Sequence, residues 1–577
     1  MIRTALHALV ALLLTASVVA HAHAQRGAAE FPPAQAVTAR HGMVVAQEAI
    51  ATRIGVEVLK RGGNAVDAAV AVGFALAVTY PRAGNIGGGG FMVIHLARRN
   101  QQFAIDYRET APAATTQTTY LDERGEADPK KSRETGLAVG VPGTVAGLAL
   151  ALALALEKYG SGKFSLAALI RPAIALARDG IPVTTDIADS LPSAAARFAR
   201  FPASAKIFLK PNGAPLAPGD TLVQRDLAAS LQAIARGGPR AFYQGPIAER
   251  IVAAVRGAGG LMTRDDLRNY RAVERTPLRG TYRGHDIVSM PPPSSGGVML
   301  IAMLNMLEHD TLKANDPDSL HLIVEAMKRA YADRAKFLGD PDAVKVPVAG
   351  LISKKYAAAQ RATIDPKQAR PAGELNAVDP VRFESDNTTH YSVVDRFGNA
   401  VSNTYTLNLS YGVGMVAGGT GILLNNELDD FAAKPGAPNA FGLIGLDTAN
   451  APGPGKRPLS SMTPTIVLKD GKPLLVTGSP GGSRIITAVL QVTINVLDHG
   501  MTIADAVTAP RLHHQWVPDE VGVERGVPPA LVKALEARGH RVTPRAPGTS
   551  ANSIQVAPAG LIGAADTRTR GALAAGH

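Results

Sequence analysis

Residues 388–408 read TTHYSVVDRFGNAVSNTYTLN, two runs of strand-forming residues around a glycine-containing turn. Neighbouring residues on a strand point to opposite faces. Thr388, His390, Ser392 and Val394 therefore share one face, and Thr389, Tyr391 and Val393 the other. Gly398 can take the left-handed conformation that closes a three-residue hairpin loop. The runs are then antiparallel neighbours with Asp395 opposite Asn399. Counting back sets Thr388 opposite Thr406, with Asn408 one step further along the same face. One face thus gathers two threonine hydroxyls and an amide. By itself such a pair is ordinary strand chemistry, because threonine favours strands and hydrogen-bonds across them.

The rest of the chain alternates helices and strands in blocks, the pattern of sheets flanked by helices. A short strand, Met43 to Ala46, leads into a helix from about Glu48 that ends at Arg61-Gly62-Gly63. Asn64 caps a very apolar helix that stops at Pro81. NIGGGGFMVIHL is a glycine-rich lead into a buried strand. A phosphate-binding loop would follow a strand and open a helix, so Gly87 to Gly90 read as close backbone packing. GLALALALALEKYG, 147–160, reads as a buried helix of apolar helix formers. Amphipathic helices fill 165–275, and a long helix ends at Gly339. Residues 25–38 read as a loose arm, and 362–386, polar and proline-containing, as an exposed, mobile linker.

With 577 residues, 46% of them hydrophobic, the chain can bury a large core. It has no cysteine, which removes disulfides, thiolate metal ligands and a cysteine nucleophile. The first residues carry Arg3, an apolar run and Ala22-His23-Ala24, the pattern of a signal peptide over 1–24. The run is shorter than the roughly 20 residues a spanning helix needs. The expectation is a periplasmic or secreted protein with no stable membrane anchor. The net charge is +12, but the basic residues are dispersed and no nucleic-acid-binding motif accompanies them. Nucleic acid is not an expected partner; anionic small molecules or envelope polymers are.

A threonine hydroxyl is a weak nucleophile and needs a base. Cleavage between Asn387 and Thr388 would supply one, since a terminal amine titrates at roughly 7.7–8.0. Thr388 can itself make the cut, by attacking the Asn387 carbonyl and forming an ester that water opens. GILLNNELDDF sets Glu427 and Asp430 after an apolar strand, where with Asn408 they can grip an ammonium. KRPLSSM places Ser460 and Ser461 just before a strand. VTGSPGGSRIITAVL is strand, glycine turn and helix, and the backbone N–H groups of Gly481 and Gly482 can form an oxyanion hole there. In AIDYRETAP, Arg108 follows a strand, and its fork suits a carboxylate. Each feature also has a plain structural explanation: a cap, a turn, or an arginine paired with a nearby acid.

In this order, DYRETAP, TTHYSVVD, NTYTLN, LLNNELDDF, KRPLSSM and GSPGGSRI resemble the motifs of the gamma-glutamyltranspeptidase family, with NIGGGGFM, GVPGT and MPPPSSGG upstream. The resemblance runs from about Ala36 to the C-terminus. It implies the αββα fold of N-terminal nucleophile hydrolases, two stacked β-sheets between helical layers. It implies a precursor that cuts itself into a large subunit, 25–387, and a small one, 388–577, intertwined as one domain. Thr388 matches the nucleophile and Thr406 the threonine that orients it. Gly481 and Gly482 match the oxyanion hole. Arg108, Ser460 and Ser461 match the residues that hold the substrate's α-carboxylate, and Asn408, Glu427 and Asp430 those that hold its α-amino group. Glutathione and other γ-glutamyl compounds are the implied donors, with water, amino acids or dipeptides as acceptors, and no metal or other cofactor is required. AAKPGAPNAFGLIG is the implied lid. Bacterial relatives commonly carry a tyrosine where this chain has Phe441. Without that hydroxyl, the lid is expected to be held by apolar contact alone.

Two other readings stay open at this point. An acylase of the same superfamily, acting on glutaryl or β-lactam side-chain amides, would lack the ammonium grip. Burying Glu427 and Asp430 without partners is costly, which disfavours that reading. A binding protein for γ-glutamyl compounds would need no Asn-Thr junction behind a linker, and would run as one chain on a gel.

Overall fold

The computed structural model describes residues 31–154, 161–375 and 388–577. The expected signal peptide, Asn387 and the end of the expected linker lie outside these residues.

Two seven-stranded antiparallel sheets face each other. In the first, the hairpin Thr389–Asp395 and Ala400–Thr406 is central, between Gly42–Ala46 and Gly89–Leu96. In the second, Lys472–Thr477 and Thr465–Lys469 are the middle strands. The apolar helix Ala65–Thr79 covers the outside of the first sheet. Gly296–Leu307 covers the second, with Pro317–Phe337 and Ile485–Leu497 packed against it. The order is helix, sheet, sheet, helix, the αββα sandwich that was expected.

The hairpin has the register counted from its loop. Thr389 faces Tyr405, Val394 faces Ala400, and the Asp395 N–H bonds the Asn399 carbonyl at 3.0 Å. Gly398 has φ 82°, which its missing Cβ makes easy. The two faces do different work. Tyr391 and Tyr405 point outward and donate to the carbonyls of Ala69 and Gly73, each at 2.9 Å. Ser392 and Ser402 point inward and donate to the carbonyls of Asn552 and Thr477 in the facing layer, at 2.9 and 2.8 Å. Hydroxyls thus stitch the sheets together, and the same inward face ends at Thr388.

The glycine run behaves as read. A Cβ on Gly87 would lie 2.0 Å from the Leu423 carbonyl, and one on Gly88 2.1 Å from that of Thr406. Asn64 caps its helix in a capping box with Asp67. The apolar run at 147–160 is helical from Thr144 to Leu154, and its last residues lie outside the described ones.

Two expectations are corrected. Part of the loose arm is an edge strand, Ala36–Ala39, paired with Gly560–Ala564. The start of the expected mobile linker is pinned to the body: the Ala369 N–H bonds the Arg538 carbonyl and the Ala372 N–H bonds the Asp519 carboxylate, both at 2.7 Å. The Trp516 indole also donates to the Ala372 carbonyl at 3.1 Å. Polar segments are anchored through backbone groups that every residue carries, so side-chain periodicity gives no sign of it.

Candidate active site

Of the residues singled out from sequence, all but Asn387 and Gly481 line one cavity of about 250 Å³. They come from five distant segments. Thr388 precedes a central strand and Thr406 ends its partner, so their hydroxyls meet at the mouth of the inter-sheet layer, 3.4 Å apart. Thr406 Oγ1 also accepts the Asn408 N–H at 2.9 Å. Asn408 sits at φ 73°, a left-handed conformation asparagine tolerates better than most residues. Its side-chain amide donates to the Asn426 carbonyl at 3.0 Å.

His390, on the same face, is no base for Thr388. Its ring nitrogens lie against Thr404 Oγ1 at 2.9 Å and Ser392 Oγ at 3.1 Å. Burial pulls its pKa down to about 3, so it is neutral.

The charged wall departs from the expected division of labour. Arg108, fully buried, reaches both acids with its fork: Nη1 to Glu427, and Nη2 to Asp430 at 2.5 Å. Its Nε donates to the Pro458 carbonyl at 3.0 Å. Burial opposes its charge, but Glu427 and Asp430 outweigh burial and raise its pKa. Burial pushes both carboxylates upward despite Arg108. The arginine therefore pairs with nearby acids in this structure, which was the plainer of the two sequence readings. The arrangement is nonetheless one cation between two anions, and a zwitterion inserted into it would exchange pairs without leaving a charge alone.

Ser460 is set by two loops. Its N–H bonds the Pro293 carbonyl at 2.9 Å, and Ser294 and Ser460 form a parallel bridge, so MPPPSSGG supports KRPLSSM. Ser461 Oγ accepts from Arg334 at 3.5 Å. Gly481 and Gly482 have φ 130° and 52° and precede the helix Ile485–Leu497. A Cβ on Gly482 would lie 2.3 Å from the Phe441 ring, so the turn and the lid touch closely.

The segment expected to form the lid is not held by apolar contact alone. The Phe441 N–H bonds Asn439 Oδ1 at 3.0 Å, and Asn439 Nδ2 in turn bonds Asp430 at 3.1 Å. Gln515 Nε2 donates to the Phe441 carbonyl at 3.2 Å. These bonds use the lid's backbone and neighbours, so the missing tyrosine hydroxyl does not predict them.

Sequence reasoning missed Glu109, Arg334, Asn439 and Gln515. Arg334 lies on Pro317–Phe337, a helix whose charged residues Glu325, Lys328, Arg329 and Arg334 are buried. Burial pulls the Arg334 pKa down to about 10, which leaves it charged at neutral pH. Glu109 follows Arg108 directly, yet nothing in DYRETAP signals that both of its oxygens are buried without a hydrogen-bond partner. Among the described residues no group of three or more His, Asp or Glu is arranged to hold a metal ion.

Glu109 makes stability depend on pH. Burial, then the neighbouring charge of Glu427, holds its pKa well above 4.5. The folded state therefore keeps a proton that the unfolded chain releases at roughly pH 4.3. Stability is fully present below that value and falls as pH rises toward the raised pKa, by about 1.4 kcal/mol per unit for one proton. The melting temperature is expected to drop as pH rises above that value, and Glu109→Gln to flatten the drop. An equally steep profile in that variant would place the extra proton on another group.

Chemically, the cavity combines the hydroxyls of Thr388 and Thr406, one residue of the glycine turn, Gly482, and an anion–cation–anion wall. Comparison with known proteins adds the following. The family model described as Gamma-glutamyltranspeptidase matches residues 51–576. The chain is 52% identical over 545 residues to the "Glutathione hydrolase proenzyme" of Escherichia coli (strain K12), covering 94% of this chain and 93% of that one. Among solved structures, the cephalosporin acylase from Bacillus halodurans superposes with a TM-score of 0.81 at 27% identity, covering 94% of this chain and 97% of that one. Helicobacter pylori gamma-glutamyltranspeptidase superposes with a TM-score of 0.54 at 45% identity, covering 57% of this chain and 93% of that one.

Proposed function

This chain belongs to the gamma-glutamyltranspeptidase family, and from that premise we propose that it is a gamma-glutamyltransferase and glutathione hydrolase made as a self-cleaving precursor. The observation that carries the reading is that Thr388 and the Arg108–Glu427–Asp430 cluster open into one cavity. The substrate's α-carboxylate turns Arg108 toward itself, with Ser460 and Ser461 as further donors. Its ammonium takes the place that Arg108 held between Glu427 and Asp430, with Asn408 as a third acceptor. These contacts hold the γ-carbonyl against Thr388. Thr388 Oγ attacks the carbonyl carbon while its own amine takes the proton. Negative charge gathers on the carbonyl oxygen beneath the Gly481 and Gly482 N–H groups. The C–N bond breaks, the leaving amine receives the proton, and an ester remains on Thr388. Water or an acceptor amine then attacks that ester and regenerates the hydroxyl.

The proposed subunits are 25–387 and 388–577, joined before cleavage through the Asn387–Thr388 bond, after export and removal of 1–24. Among the described residues no helix is long and apolar enough to cross a membrane. The test is a gel of the purified protein together with release of anilide from a γ-glutamyl anilide, with and without a dipeptide acceptor. Two bands and release stimulated by the acceptor are expected; a single, inactive chain overturns the proposal.

The likeness to a cephalosporin acylase keeps one alternative in view. An acyl chain without an ammonium leaves Glu427 and Asp430 to Arg108 alone and gains nothing from them. A γ-glutamyl anilide is therefore expected to be turned over faster than a glutaryl anilide, and the reverse order would favour the acylase.

The lid offers a further check. Phe441→Tyr adds a hydroxyl to a side chain that lines the same cavity as Asn408. One hydrogen bond is worth about 0.5–1.5 kcal/mol, so the closed lid gains up to roughly tenfold in population. Hydrolysis is expected to fall relative to transfer at a fixed acceptor concentration. An unchanged ratio would mean that the Gln515 and Asn439 bonds already hold the lid shut.

A further inference from the structure

Five turns meet at the end of the sandwich opposite Thr388. Residues 40–41 pass from the edge strand Ala36–Ala39 of the second sheet to Gly42–Ala46 of the first. In the first sheet, 97–100 joins Gly89–Leu96 to Gln101–Tyr107, and 396–399 closes the central hairpin. The second sheet adds 470–471, between Thr465–Lys469 and Lys472–Thr477, and 558–559, between Ser553–Ala557 and Gly560–Ala564. The turns are in contact. A Cβ on Gly471 would lie 2.7 Å from the Asn100 side chain, one on Gly398 3.3 Å from the Ala97 Cβ, and one on Gly560 2.7 Å from the Ala39 carbonyl. The strand Thr389–Asp395 spans 7 residues between Thr388 and this end, about 23 Å at ~3.3 Å per residue.

These turns are loaded with cations. Across them and the residues that flank them, Arg40, Arg98, Arg99, Arg396, Lys469 and Lys472 are exposed, and Asp470 is the one exposed carboxylate. Asp395 is buried, and it accepts from the Ala65 and Phe397 N–H groups at 2.9 and 2.8 Å and from the Asn399 amide at 2.7 Å. Among the described residues Arg40, Arg98, Arg396 and Lys472 make no ion pair. At the tip of the hairpin loop the Phe397 ring is 59% exposed, the one large hydrophobic side chain in the open among the described residues. The Arg396 guanidinium lies 4.8 Å from the centre of that ring. Arg40, Arg98, Arg396, Phe397 and Lys472 all border one open cleft. A lone exposed apolar side chain is ordinary on a protein surface; what sets this one apart is the ring of cations around it.

We propose that this end docks the protein reversibly on an anionic lipid surface, with the cations on the headgroups and the Phe397 ring at the edge of the acyl layer. A dissolved polyanion would neutralise the cations but leave the ring in water. A lipid leaflet offers both layers, anionic headgroups and, about 5–10 Å deeper, apolar chains. Aromatic rings favour that boundary, and the apolar stems of arginine and lysine reach from it back to the headgroups. One ring and a few cations give an adsorption that salt reverses, not an anchor. Docked in this way, the cavity that holds Thr388 lies at the end of the hairpin away from the leaflet and stays open to solutes. The inference does not depend on the reaction at Thr388.

The test sediments the purified protein with vesicles of phosphatidylglycerol and phosphatidylcholine in equal parts, and with vesicles of phosphatidylcholine alone. Binding is expected only to the anionic vesicles. It is expected to be lost between about 0.1 and 1 M salt, as the Debye length falls from ~10 to ~3 Å. Arg98→Gln and Lys472→Gln are each expected to weaken it about fivefold, the contribution of one basic residue near such a surface. Phe397→Ser is expected to weaken it about tenfold and to leave the salt dependence as it was. All three side chains are exposed, so the melting temperature should not move. Trp516 is buried and is the chain's one tryptophan. In Phe397→Trp, a blue shift of emission on adding anionic vesicles therefore reports the loop entering the lipid. No sedimentation with anionic vesicles at the lower salt, or equal sedimentation with both kinds of vesicle, overturns the proposal. Binding that Phe397→Ser leaves unchanged overturns the lipid assignment, and polyphosphate that competes equally well would then make this end a site for dissolved polyanions.

Discussion

Thr388→Ala is expected to yield one uncleaved chain that releases no anilide from a γ-glutamyl anilide. In the proposed mechanism a single hydroxyl makes the cut and later carries the acyl group, so its loss removes both. Removing the nucleophile of an enzyme that works by covalent catalysis costs on the order of 10⁶ in kcat, and here the base is lost as well, because the terminal amine never forms. The fold should survive. Thr388 lies outside the ladder that begins at Thr389, and its hydroxyl's bond to Thr406 is long at 3.4 Å. Thr388→Ser keeps the hydroxyl and should retain cleavage and turnover at reduced rates. Two bands of the subunit sizes from the alanine variant would move the nucleophile elsewhere.

The second large effect is expected at Arg108, with two variants that separate charge from geometry. Arg108→Met leaves Glu427, Asp430 and Glu109 buried without the cation that pairs the first two. Removing one member of a buried ion pair typically costs about 3–5 kcal/mol, and three neighbouring carboxylates should place this case at the upper end. A large fall in melting temperature, or failure to accumulate, is expected. Arg108→Lys keeps the charge but cannot span two carboxylates or grip one with two parallel bonds. A hydrogen bond to a charged group contributes about 1.5–3 kcal/mol, so the KM for γ-glutamyl substrates should rise roughly 10- to 100-fold, with a smaller change in stability. An unchanged KM in the lysine variant would limit Arg108 to neutralising Glu427 and Asp430. Saturating substrate should also raise the melting temperature of the unaltered protein, because the zwitterion replaces one paired arrangement by another with more hydrogen bonds.

Local patterns carried the sequence reading a long way. Strand alternation and a loop of known length are near-neighbour effects, and together they put Thr388 opposite Thr406 before any tertiary contact was considered. The helix ends at Glu48 and Asn64 were legible for the same reason, since a capping residue answers only to the first turn of its own helix. The glycine run was read correctly because a missing Cβ has a meaning wherever backbones approach.

The site's electrostatics were beyond such reasoning. Arg108 and Glu427 are separated by 319 residues and Arg108 and Asp430 by 322, and which charges neutralise which depends on the low-dielectric space they share. Sequence distinguished the residue types that can hold a zwitterion and allowed that the arginine pairs with an acid, but not which acids it pairs with. The proposed lid shows the same limit. Its bonds run from Gln515 and Asn439 to backbone groups and Asp430, and backbone donors look alike in every sequence.

What the chain alone determined, then, is the central hairpin and its pairing, the capped and apolar helices beside it, and the chemical types around Thr388. Those follow from forces that act within a few residues. Tertiary structure decided the burial of Glu109 and Arg334 and the pairing of Arg108. Those depend on which distant segments exclude water together, and the free energy of a charge is set by that exclusion more than by its neighbours along the chain.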